Sequence, residues 1–98
     1  MLVVISRGLI RSERRDDFVA AAQEMAMATR DDQGCRQYAF CADIEDPRWI
    51  VCVEIWDDDA ALDAHMGHPH TARFLDSIAD SHIGDIEMHC YTATLNQQ

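Results

Sequence analysis

The chain has 98 residues, 48% of them apolar, and sets 18 acids against 8 bases for a formal charge of −10. That length and apolar share describe one folded domain over residues 1–98, with a core small enough to gain from pairing with a second copy. The acid excess argues against a nucleic-acid partner, which needs a concentrated basic face, and against an anionic membrane surface.

Leu2 to Arg11 is β-branched and apolar and predicts a first strand. It is too short for a membrane span, and without a basic leader it is no signal peptide. Ser12 is a candidate cap for a helix in which Phe18, Ala21, Ala22, Met25 and Ala28 recur at helical spacing through Arg30. "RDDQG" ends that helix, with Gly34 as the breaker. Cys35 to Asp43 predicts a second strand, and "IEDPR" the turn after it. Trp49 to Trp56 predicts a third strand that alternates Trp49, Val51, Val53 and Ile55 with Ile50, Cys52, Glu54 and Trp56. Both faces are largely apolar, so one needs the helices and the other a second subunit.

The aspartates at 57 to 59 open a short helix carrying Ala61, Leu62, His65 and Met66 on one stripe, and Gly67 closes it. Pro69 starts another, with Thr71, Phe74, Leu75 and Ile78 as its apolar stripe. Ile83 to Leu95 predicts the last strand, and Asn96 to Gln98 a tail. Strand, helix, strand, strand, helix pair, strand is the ferredoxin-like βαββαβ order, an α+β fold with a four-stranded antiparallel sheet. Cys35, Cys41, Cys52 and Cys90 show no CxxC pairing and read as small core residues of a reducing, cytoplasmic compartment.

Three histidines fall within six residues in "HMGHPH", from His65 to His70. A shared metal is disfavoured by the spacing, because Gly67 interrupts the helix between them and Pro69 pushes His68 out of helical geometry. His68 and His70 then read as cap and surface residues. His65 shares a stripe with Leu62 and is either a satisfied core histidine or a proton-transfer group lining a pocket. Glu54 lies between Cys52 and Trp56 on a covered face. It must be paired or shifted, with Arg7, Arg36, His89 and Tyr91 as candidate partners.

"GCRQYAF", "DIEDP", "VEIWDDDAALDAH" and "HPHTARF" together resemble the antibiotic biosynthesis monooxygenase (ABM) domain over almost the whole chain. Glu54, Trp56, Leu62, His65, Pro69, His70 and Phe74 fall on its E-x-W…A-L-x-x-H…P-H-x-x-x-F pattern. The resemblance implies a homodimeric α+β barrel that oxidises a quinol, anthrone or other polyphenol with O2 and needs no metal or other cofactor. It also implies His65, Glu54 and Trp56 as catalytic residues, with Trp56 as an aromatic wall, and Tyr38, Cys52 and Phe74 as substrate-pocket residues. Two departures bear on the substrate. Cys52 stands where polyketide-tailoring members carry an asparagine, and His65 where haem-degrading relatives carry a tryptophan. An isomerase using His65 and Glu54 for proton transfer, or a non-catalytic stress protein that binds an aromatic molecule, are the other readings.

Overall fold

The structure is a computed structural model that describes residues 1–96, so Gln97 and Gln98 of the expected tail lie outside the described residues. Strands β1 (Leu2–Ile10), β2 (Cys35–Ala42), β3 (Trp49–Trp56) and β4 (His82–Thr92) form one antiparallel sheet in the order β2-β3-β1-β4. Helices α1 (Arg15–Thr29), α2 (Asp59–Met66) and α3 (Pro69–Ser77) complete the ferredoxin-like arrangement expected from the sequence.

Register decides which residues meet the helices. Val4, Ser6 and Gly8 of β1 lie opposite Glu54, Cys52 and Ile50 of β3, and Tyr38 and Phe40 of β2 lie opposite Glu54 and Cys52. Side chains alternate between faces, so this set shares one side of the sheet. With Phe18, Ala22, Met25, Ala26, Phe74 and Ile78 from the helices, it supplies the core. Val3, Ile5, Leu9, Val51, Val53 and Ile55 share the other side, which no helix covers. β4 is the edge strand beside β1 and is largely exposed along its length.

Local chemistry sets the element ends. Ser12 does not cap α1; it opens a single 3-10 turn to Arg14, and α1 begins without a side-chain cap. Asp58 does cap α2, accepting a hydrogen bond from the Ala61 N–H at 2.9 Å. Pro69 takes the first position of α3, where its missing N–H costs nothing. Gly34 turns the chain from α1 into β2 at φ +81°, and a Cβ there would lie 2.5 Å from that of Ala61. Backbone conformation and packing both require glycine at that position. The cysteines depart from their expected uniform role: Cys52 is buried and Cys35 half-buried, but Cys41 and Cys90 are exposed. The side facing away from the helices carries Cys41, and Cys90 sits on uncovered β4. Among the described residues, no helix is long and apolar enough to cross a membrane.

Candidate active site

The helix-covered face of the sheet is not fully filled. A cavity of about 140 Å³ lies between it and the helices, lined by Tyr38, Phe40, Cys52, Glu54, His65 and Phe74, among others. Five residues singled out from the sequence therefore come together: Tyr38, Cys52, Glu54, His65 and Phe74. Four elements deliver them, β2, β3, α2 and α3, through strand alternation and the helical stripes. Phe18, Phe40 and Phe74 pack edge-on or tilted, with ring centres 5.6 to 6.2 Å apart, and form the apolar wall.

Trp56 corrects one expectation. It is fully buried at 0% exposure and does not line the cavity, so it is not the aromatic wall. Its indole N–H donates to Glu54 Oε1 at 3.0 Å, and its ring lies 4.7 Å from that of His65, centre to centre. Trp56 thus holds Glu54 and backs His65 from behind. The expected partners of Glu54 are corrected with it. Arg7, His89 and Tyr91 belong to the opposite sheet face, by their pairing with Val51, Ile5 and Val3. Arg7 stacks on Trp49, and Arg36 pairs with Asp57. With an indole in place of a cation, burial raises the Glu54 pKa. The Trp56 hydrogen bond and the charge of His65 oppose that rise without cancelling it.

His65 is 3% exposed, and its Nδ1 lies 3.0 Å from Asp32 Oδ2. A carboxylate only accepts, so Nδ1 carries the hydrogen, and in the neutral ring Nε2 is left with a lone pair. The same oxygen accepts from His70 Nε2 at 3.1 Å, and His68 Nε2 lies 3.7 Å from Oδ1. His70 is therefore an inward member of a network, not a surface residue. His68 occupies the N-cap position of α3 without a side-chain cap bond. Thr71 Oγ1 donates to the His65 carbonyl at 2.7 Å and ties α3 to α2.

Asp32, the centre of this cluster, is the residue that the sequence reading passed over. It follows the C-terminus of α1, where the helix dipole disfavours an acid, and that mismatch was the available signal. Two other groups in the cavity are held neutral. Burial, with Cys52 and Glu54 nearby, raises the Tyr38 phenol above its ordinary value, and burial beside Glu54 pushes the Cys52 thiol up to about 12. Near neutral pH neither ionises, so both can offer a hydrogen and neither is a nucleophile.

The sequence model of the family described as antibiotic biosynthesis monooxygenase matches residues 1–77. The chain belongs to that family. A solved structure described as an antibiotic biosynthesis monooxygenase is 30% identical, with a TM-score of 0.89 over 97% of this chain and all of that one. YcnE of Bacillus subtilis, named as a candidate monooxygenase, is 27% identical over 76% of this chain and 79% of its own length. A Synechocystis protein without an assigned role is also 27% identical, over 81% of this chain. The chain spans only 54% of that relative's length.

Proposed function

We propose that this member of the family inserts one atom of O2 into an electron-rich phenol, such as a quinol, anthrone or other polyphenol, without a bound cofactor. The observation that carries the reading is His65, fixed through Nδ1 to a nearly buried carboxylate and lining an apolar cavity. Nε2 takes the phenolic proton, and Asp32 stabilises the resulting imidazolium as it would in a triad. The electron-rich anion passes one electron to O2, and the radical pair recombines at a ring carbon to give a hydroperoxide. Loss of water leaves the new carbonyl, so both electrons needed for the second oxygen come from the substrate. The phenylalanine wall keeps water from quenching the anion. Tyr38 and Cys52, held protonated, offer hydrogens to a substrate oxygen in place of the asparagine that polyketide-tailoring relatives use.

The same geometry supports one other chemistry. Glu54, biased toward its protonated form, shares the cavity with His65, as an isomerase moving a proton between two carbons requires. Oxygen uptake separates the two. Chelator-treated protein is offered a panel of quinols and anthrones under ¹⁸O2, with His65→Ala alongside. One labelled oxygen in the product, lost in the variant, supports oxygenation. Exchange of a carbon-bound hydrogen with solvent deuterium and no oxygen uptake replaces that reading with the isomerase. Tight binding with neither leaves an aromatic-binding protein.

The working form in this proposal is a homodimer. The uncovered sheet face bears Val3, Ile5, Leu9, Val51, Val53 and Ile55 with Arg7, Glu87 and His89 among them, an apolar surface with polar groups interspersed that suits a self-complementary interface. Sedimentation at micromolar concentration checks it, and a monomer ends it. A reducing compartment such as the cytoplasm suits its four unpaired thiols.

A further inference from the structure

Spacing alone disfavours a metal on the three histidines, because residues 65, 68 and 70 do not share a helical face. That argument does not reach Asp32, on which all three imidazoles converge from outside the segment. Its side chain is 8% exposed, and its charged-partner contacts among the described residues are all imidazoles: His65 at 3.0 Å, His70 at 3.1 Å and His68 at 3.7 Å. A carboxylate this sheltered, with no arginine beside it, calls for a cation. The donor atoms of Asp32, His65 and His70 all lie within 4.8 Å of one another.

We propose that Asp32, His65 and His70 form a binding site for a divalent transition metal, zinc by preference, with His68 as a fourth ligand. With metal–ligand bonds of about 2.0–2.1 Å, tetrahedral donors stand roughly 3.3 Å apart. Two edges of the donor triangle, 3.0 and 3.1 Å, are already within a few tenths of that. Only the edge between His65 and His70 has to close, and His70, in the first turn of α3 with an 18% exposed side chain, has the room to turn. The ion replaces the two imidazole hydrogens now shared with Oδ2. Imidazole nitrogens with one carboxylate suit zinc, cobalt or ferrous iron, whereas magnesium and calcium favour all-oxygen sets. The chain's charge of −10 draws cations to it.

The site lies behind the ring, on Nδ1; with an ion there the ring's one hydrogen moves to Nε2, so the metal-loaded form presents a donor to the cavity and the proton-accepting Nε2 belongs to the metal-free form. Its effect on the fold is direct, because the ligands come from the turn after α1, from α2 and from α3. Binding restricted to the folded state raises the melting temperature, by on the order of 10 °C at a hundredfold excess over Kd.

The test is titration of metal-stripped protein with Zn²⁺ by calorimetry, and with Co²⁺ by visible absorption. His70→Gln keeps a hydrogen-bond donor for Asp32 but removes a ligand, Asp32→Asn removes the charge, and His89→Ala is a control on exposed β4. Melting of each metal-free variant shows that it is folded. Expected are one zinc per chain, the intense d–d bands of tetrahedral cobalt, at least tenfold weaker binding in His70→Gln and Asp32→Asn, no change in His89→Ala, and no competition from millimolar Mg²⁺. Failure of the wild-type protein to bind zinc below about 100 μM, or equal affinity in His70→Gln, overturns the proposal and leaves a purely hydrogen-bonded network. Neither readout uses oxygen, and oxygen uptake is measured on chelator-treated protein, so failure of either reading is seen without the other.

Discussion

Asp32 and Glu54 are two acids of similar shelter with opposite surroundings. The Asp32 side chain and the Glu54 residue are each 8% exposed, and both act on His65. Asp32 accepts from two imidazoles on a single oxygen, whereas Glu54 accepts from one indole in an apolar cavity. Burial therefore does not decide what a carboxyl group does; the donors around it do. Asp32 is equipped to hold a positive ring, and Glu54 is biased toward its protonated form.

The comparison breaks first at the imidazole that joins the two acids. His65→Ala should lower kcat/KM by about a hundredfold or more, the usual scale for a lost general base, with melting temperature followed alongside. An unchanged rate returns His65 to the core. Asp32→Asn keeps the shape but stops fixing Nδ1–H, and costs roughly tenfold to a hundredfold in kcat, like other groups that orient an imidazole. Equal kcat in this variant would mean that the carboxylate only fills space.

Glu54→Gln keeps an acceptor for the Trp56 indole and removes the titration, so its effect is on stability. A carboxyl whose pKa is raised by folding favours the native state fully at and below its ordinary value of 4.5, and that contribution disappears as pH climbs through the raised value. Unfolding measured from pH 4 to 8 should therefore show Glu54→Gln gaining stability relative to wild type as pH rises through that window. A constant difference would place Glu54 at its ordinary value. The smallest change is Asp58→Ala, which frees the Ala61 N–H and costs about 1 kcal/mol in thermal unfolding.

Much of this was legible in the chain because local signals agreed with one another. The alternation in Trp49–Trp56 predicted a strand with two distinct faces, and the observed burial alternates at every residue. Gly34, Asp58 and Pro69 act at their expected turns and caps, since each depends on neighbours a few residues away. The link from Asp32 to His65 spans 33 residues and depends on how one turn is aimed, which periodicity does not report. The Glu54–Trp56 bond was within reach, because residues two apart on a strand share a face. Charge pairing points past it, because a buried carboxylate is expected beside a cation and this one has an indole. The cations considered sit on the other face or are paired elsewhere.

The strict alternation of β3 has an evolutionary consequence. Its even-numbered positions face the helices and the cavity and its odd-numbered positions the uncovered surface, so a point substitution alters one face and leaves the other as it was. Insertion or deletion of a single residue has no such freedom. It would exchange the two sets at once, sending Cys52 and Glu54 outward and Val51 and Val53 into the cavity. Lineages descending from this chain should therefore hold the length of this strand more strictly than the identity of any one residue on its uncovered face.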